Sequence, residues 1–265
     1  MTTIAVCAIF KDEGPNLIEW VAYHRAVGVD YFFLYDNEST DDGASILLSS
    51  PLKDYVTVMP FAGRPVQQAA YKHFIDFHAK NWEWVAFIDL DEFIHPIEAD
   101  SIKYVLPRYK SYSVILLHYL VFGPNGHDDR PNGLVIENYT RRLPEDHEIN
   151  RHVKSLVRTA HLVGLLGTSH VFDIKGQMCN SRGETAPGVP IQDKICHDVI
   201  CLNHYYTKSR EDWDVRLRRG SVDMPVDRIN DPEYRTFNEY ARLATVPDER
   251  ITRFSEKVRR TARGR

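Results

Sequence analysis

The chain has 265 residues, with 33 Lys+Arg against 37 Asp+Glu, a formal net charge of −4, and 43% hydrophobic and 26% charged residues. These proportions exclude a disordered chain, a collagen-like repeat and a disulfide scaffold. No apolar run approaches the roughly 18–20 residues of a membrane span, and no basic stripe interleaved with aromatics marks a nucleic-acid ligand.

In chain order, Thr3 to Phe10 is a β-rich run broken by Lys11-Asp12-Glu13-Gly14-Pro15, after which Asn16 is placed to cap a helix through about Val27. Tyr31 to Tyr35 reads as a second strand. It ends in the polar turn Asp36 to Asp42, ahead of a short helix at Ala44 to Leu48. Tyr55 to Met59 is a third strand, and Val66, Ala69, Ala70, Phe74 and Phe77 share one helical face. Trp84 to Ile88, nearly all apolar, is a fourth and central strand. Strands alternating with helices predict a doubly wound α/β sheet, mostly parallel, whose ligands sit at the carboxyl ends of the strands.

The second half is less regular. A helix is expected at Ser101 to Tyr109, strands at Ser113 to Tyr119 and Leu134 to Tyr139, and a long loop over residues 176–194. The expected organisation is one domain, 1–247, with an elaborated second half, followed by a basic tail, 248–265. From Arg250 to Arg265 seven Lys/Arg face only Glu256, and Ile251, Phe254 and Val258 recur at helical spacing. That pattern fits either a peripheral membrane-surface anchor or a last helix packed on the core. The start Met1-Thr2-Thr3 lacks a signal-peptide pattern, and Cys7, Cys179, Cys196 and Cys201 fit reduced thiols, so a cytoplasmic location, with contact at the inner membrane surface, is expected.

The segment Phe87-Ile88-Asp89-Leu90-Asp91-Glu92-Phe93 carries the most chemistry. Two carboxylates two residues apart at the end of a buried strand point to the same side, and hard oxygens so arranged suit Mg²⁺ or Mn²⁺ bridging to a diphosphate. Asp-x-Asp alone is equally a polar strand end. Cys196, His197, Cys201 and His204 compete as a zinc set, but their spacing is unlike the usual paired ligands, and Val199, Ile200 and Leu202 favour a buried strand.

The order of segments is more specific than any one of them. Ala8 to Glu13, Leu17 to His24, Leu34 to Asp41 and Trp84 to Phe93 are followed by Phe122 to His127, Gly133 to Glu137, Lys154 to Arg158 and Asn203 to Glu211. In this order the chain, from about residue 3 to 220, resembles the glycosyltransferase family 2-like proteins and most closely glycosyltransferase family 92. The resemblance implies a GT-A fold with a nucleotide-binding half (1–95) and an acceptor half (96–247), a nucleotide-sugar donor, expected to be a uridine diphosphate sugar, a glycan or lipid-linked acceptor, and Mn²⁺ or Mg²⁺. It implies that Phe10 to Glu13, including Asp12, and Asp36 border the uridine, and that Asp89 and Asp91 hold the metal. His204, in the intact His-Tyr-x-x-Lys-Ser segment, is the expected third ligand, and Lys208 would neutralise the diphosphate. The family usually has Asn where this chain has Asp12, which adds negative charge beside the nucleotide. Arg64, Gln67 and Gln68 are further nucleotide contacts or solvated first-turn residues. For an inverting transfer the acceptor needs a base; Asp128 and Glu211 are the preferred candidates, with Asp129, Glu184 and His127 behind them. A haloacid-dehalogenase-type phosphatase and a non-catalytic carbohydrate-binding protein of the same fold are the alternative functions.

Overall fold

The first strand decides the architecture. In the computed structural model, which describes residues 2–220 and 235–265, β1 (Ile4–Phe10) is buried along its whole length. Ile4, Val6, Ala8 and Phe10 enter one apolar core while Ala5, Cys7 and Ile9 enter another on the opposite face. A seven-residue run with no polar face must lie inside a sheet covered on both sides. It pairs in parallel with β2 (Tyr31–Asp36) on one side and β4 (Trp84–Phe87) on the other, and β3 (Val56–Pro60) extends the sheet beyond β2. The crossovers are α1 (Gly14–Ala26), α2 (Gly43–Ser49) and α3 (Gln67–Phe77). α1 buries Leu17, Trp20 and Val21 on one face; α3 buries Ala70, Tyr71 and Phe74 on the other.

The remaining elements are β5 (Glu92–Pro96), α4 (Ile102–Val105), β6 (Val114–Val121), α5 (Val135–Asn138), β7 (Arg141–Arg142), β8 (Val153–Arg158), β9 (Leu162–Leu165), β10 (Phe172–Ile174), β11 (Met178–Cys179), β12 (Thr185–Ala186), β13 (Ile200–His204), α6 (Arg210–Arg219), α7 (Arg235–Leu243), β14 (Val246–Pro247) and α8 (Ser255–Ala262). The sheet runs β12-β11-β6-β8-β4-β1-β2-β3, and β13 joins it beside β6 while pairing antiparallel with β5. β8 enters antiparallel between β4 and β6, so the acids that follow β4 face the side chains of β8 and β13.

Several expectations are corrected. Leu134 to Tyr139 is not a strand: Val135 to Asn138 form α5, because the Glu19 carboxylate, reaching over from α1, accepts the Val135 and Ile136 amides at 2.7 and 3.2 Å. Asn16 does not cap α1; the helix starts at Gly14, with Pro15 in its first turn, and the Asn16 amide donates to Glu13 at 3.1 Å. Ala69 and Phe77 are exposed, and Tyr71 takes the buried face of α3 instead. The helix from Ser101 tightens into a 3₁₀ turn at Leu106–Tyr109, where Pro107 ends the regular pattern. Residues 176–194 are anchored rather than a free loop: β11 extends the sheet, and the buried Ser181 hydroxyl accepts the Val199 and Ile200 amides at 2.9 and 3.0 Å.

The basic tail packs against the fold. Ile251, Phe254 and Val258 are buried, Phe254 edge-on to Tyr23 of α1, which matches the core-packed last helix of the two expectations for this segment. Arg259 pairs with Glu137, and Arg253 donates to the carbonyls of Pro96, Ile97 and Ala99. Among the described residues no helix is long and apolar enough to cross a membrane.

Asp248 holds this end of the chain in place. It accepts from Arg142 at 2.8 Å and from Arg250, and its own amide bonds Thr140. Burial pushes its carboxyl up, but the Arg250 and Arg142 guanidinium groups outweigh that and hold it at about 2. A depressed native value stabilises the fold above the ordinary carboxylate range, and the gain is lost as pH falls toward 2. Asp248→Asn is therefore expected to cost about 1–2 kcal/mol at pH 7, with the gap to wild type closing between about pH 4 and 2 in urea melts.

Candidate active site

The carboxyl ends of β1, β2 and β3 open on a cleft of about 1030 Å³ whose lining includes Lys11, Asp12, Asn37, Asp41, Arg64 and Arg219. Its two walls are stitched together by one side chain. Asp12, at φ 50°, turns its Oδ1 to the Thr40 amide (2.6 Å), the Thr40 hydroxyl (3.1 Å) and the Asp41 amide (3.3 Å), and its own amide donates to the Ser39 hydroxyl at 3.0 Å. Asp41 in turn accepts the first amides of α1 and α2, from Gly14 at 2.8 Å and Gly43 at 3.1 Å. The helix starts meet so closely that a Cβ on Gly43 would lie 2.4 Å from the Gly14 Cα, so glycine is required there.

Beside the cleft lies a buried nest of charge. β4 ends at Phe87, and Ile88 to Asp91 form a turn rather than continued strand, so the alternation expected of Asp89 and Asp91 fails. Asp89 turns to Lys154 (2.8 Å) and Gln67 (3.1 Å). Asp91 turns to His204 (3.4 Å) and Arg216 (2.5 Å). Glu92, fully buried, joins Asp91 and His204 in a group whose ligand atoms all lie within 4.8 Å of one another, and Asp89 stands outside that group. Burial, aided by Asp89 and Asp91 and opposed by Lys154, pushes Glu92 up to about 7. Asp91 is held well below the usual carboxylate range: burial raises it, but Arg216 and His204 more than reverse this.

A second set of ion pairs lies at Glu13, between this nest and the cleft. Glu13 meets Lys208 at 3.4 Å and Arg219 in a closer pair, which bring it down to about 2 against the effect of burial. Arg219 also donates to the carbonyls of Lys11 (2.8 Å) and Asp12 (3.3 Å). Helix α6, which carries Arg216 and Arg219 three residues apart on one face, is set by a capping box in which Ser209 and Asp212 bond each other's amides.

A profile described as Glycosyltransferase family 92 matches residues 2–182. The chain belongs to glycosyltransferase family 92. A family 92 protein of Ricinus communis is 31% identical over 266 residues, covering 96% of this chain and 45% of that protein. One of Arabidopsis thaliana is 30% identical over 240 residues, covering 84% and 38%. The chain thus spans less than half the length of these curated relatives. Among solved structures, S. aureus TarS in complex with UDP-GlcNAc matches at 15% identity and TM-score 0.41, over 64% of this chain and 51% of that one. Glucosyl-3-phosphoglycerate synthase from Mycobacterium tuberculosis, in complex with Mn²⁺, UDP and glucosyl-3-phosphoglycerate, matches at 18% identity and TM-score 0.31, over 44% of each chain. The α/β sheet, parallel through β3-β2-β1-β4, is doubly wound as expected, with helices on both faces.

In this family 92 chain the expected site residues divide. Asp12, Glu13, Arg64, Lys208, Asp91, His204 and Glu211 gather around the cleft and the adjoining nest. Phe10 is buried in the core beneath, and Asp36 spends its carboxylate on the Ser39 amide at 2.9 Å. Gln68 is half-buried, while its neighbour Gln67 reaches Asp89. Glu211 accepts the Arg130 amide at 2.8 Å; Asp128 is exposed and paired with Arg210. His127 lies 3.3 Å from the Asn138 carbonyl, and Glu184 accepts from Asn180 at 2.9 Å. The zinc candidates do not converge: Cys196 faces Asp198, Cys201 faces Asn203, and His197 bonds the Tyr119 carbonyl.

Sequence reasoning missed Glu92, Lys154, Arg216 and Arg219. Lys154 had a usable signal, as a cation within the apolar strand Val153–Val157; Glu92 was hidden by the strand alternation assumed through Asp91. If Asp12 acts as the stitch, Asp12→Asn, which keeps Oδ1 as an acceptor, should melt near wild type. Asp12→Ala should lose about 1–2 kcal/mol of stability in thermal or urea melts.

Proposed function

We propose that this chain is a metal-dependent, inverting glycosyltransferase that moves a sugar from a UDP-sugar to a glycan or lipid-linked acceptor. The observation that carries the reading is the convergence of Asp91, Glu92 and His204 beside the cleft at the carboxyl ends of β1 and β2. Two carboxylates and an imidazole form a donor set suited to Mn²⁺ or Mg²⁺. Glu92 Oε1 supports the fit, being buried with no hydrogen-bond partner among the described residues. When bound, the cation supplies electrophilic stabilisation to the departing diphosphate.

The chain's own residues do the rest. Lys11, Asp12 and the 37–41 loop shape the nucleotide end of the cleft, which Asp12 keeps at fixed width. Lys208 and Arg219, already desolvated against Glu13, are placed to meet diphosphate oxygens. Asp89, oriented by Lys154 and Gln67, retains partial exposure and is free to accept a donor hydroxyl. Glu211, which lines the cleft, is the better placed of the two base candidates, with Asp128 held outward by Arg210.

The test is transfer from UDP-sugars with and without Mn²⁺. Asp91→Asn or His204→Ala should lower turnover at least about 100-fold while the far-UV spectrum stays native. Glu211→Gln should lower kcat far more than donor affinity. NMR of the first-formed product should find the inverted anomer; a retained one would remove the need for a base.

A further inference from the structure

Arg216 occupies a place that the proposed reaction does not by itself explain. Its Nη1 lies 2.5 Å from Asp91 Oδ2, the same oxygen that lies 3.4 Å from His204 Nε2, so a guanidinium sits on a carboxylate of the candidate metal group. The guanidinium is stacked over the Tyr206 ring at 4.4 Å, and its side chain is only 14% exposed. Its Nε is buried and, among the described residues, has no hydrogen-bond partner; the same is true of His204 Nδ1 and Glu92 Oε1 beside it. The nest therefore holds a donor and acceptors still unused.

The formal charges around it are matched. Glu13, Asp89, Asp91 and Glu92 meet Lys154, Lys208, Arg216 and Arg219. A divalent cation entering a balanced nest adds two positive charges and must displace a cation already on Asp91. A nucleoside diphosphate arriving with it cancels the excess and offers a new acceptor to the displaced group. Arg216 is suited to that exchange, since its planar fork binds phosphate oxygens as readily as a carboxylate, and Arg219 on the same helix face already borders the cleft.

We infer that Arg216 is a built-in cation that competes with the divalent ion for Asp91 and passes to the donor's diphosphate when both are bound, coupling ion binding to nucleotide binding. The inference rests on the metal-dependent reading above. Arg216 is accordingly a positioning residue for the empty site and a phosphate ligand in the loaded one.

The test measures binding, not turnover. The full chain is titrated with Mn²⁺ alone and with Mn²⁺ plus UDP, free ion being read by electron paramagnetic resonance and folding by circular dichroism. In the wild type, UDP should tighten Mn²⁺ binding by about tenfold or more. Arg216→Met, which keeps the packing on Tyr206 but removes the charge, should bind Mn²⁺ alone about tenfold more tightly than wild type, with the gain from UDP reduced to about twofold. Arg216→Lys should stay close to wild type in the absence of UDP. Unchanged or weaker binding of Mn²⁺ alone by folded Arg216→Met, or an undiminished UDP effect, would overturn the inference. Asp91→Asn separates the two levels: wild-type Mn²⁺ affinity in that variant would sink the metal site itself.

Discussion

Everything at the working end of this molecule follows from the cost of burying negative charge. Glu13, Asp91 and Glu92 are removed from water, and a bare carboxylate in such a place would take up a proton or unfold its surroundings. They persist because cations are delivered to them from far along the chain, Lys154 from β8 and Arg216 and Arg219 from α6. Where the supply is close, as at Glu13 and Asp91, the carboxyl stays ionised; at Glu92, where Lys154 is 3.9 Å away and two other acids crowd in, it is pushed toward neutrality.

This requirement explains why the two halves of the chain form one sheet. The acids belong to the parallel portion built by residues 4–92, and the bases to strands and a helix added later. β8 between β4 and β6, and β13 between β5 and β6, bring Lys154 and His204 within reach of the turn after β4. Without the later strands and α6, Glu13 and Asp91 would lose every cation paired with them, and Asp89 would keep only Gln67.

The parallel strands were legible because their signal is local. A fully apolar run such as Ile4–Phe10 has one reading, and the polar segments that follow β1 and β2 are the ones that line the cleft. The site was half legible for the same reason: Asp91, His204 and Lys208 stand in compact motifs. What escaped was set by tertiary contact. Val135 to Asn138 has strand-like composition but coils because a carboxylate from α1 caps it. Asp89 and Asp91 diverge because the strand ends at Phe87, before either of them, which no alternation pattern records. Arg216 and Arg219 look like ordinary surface charge on α6 until the helix is seen to face the acids.

The docking of residues 251–258 on α1 also bears on assembly. Tyr23 and its neighbours on α1 are covered partly by Phe254 and Val258, from a segment far removed in sequence. Until that segment arrives, the first βαβ units carry an open apolar stripe, and closing it requires a contact of very high sequence separation. Folding of this chain is therefore expected to pass through a collapsed form with the parallel strands in place and α1 uncovered, sticky toward other chains and dependent on a late step that the basic side chains around Val258 help to keep soluble.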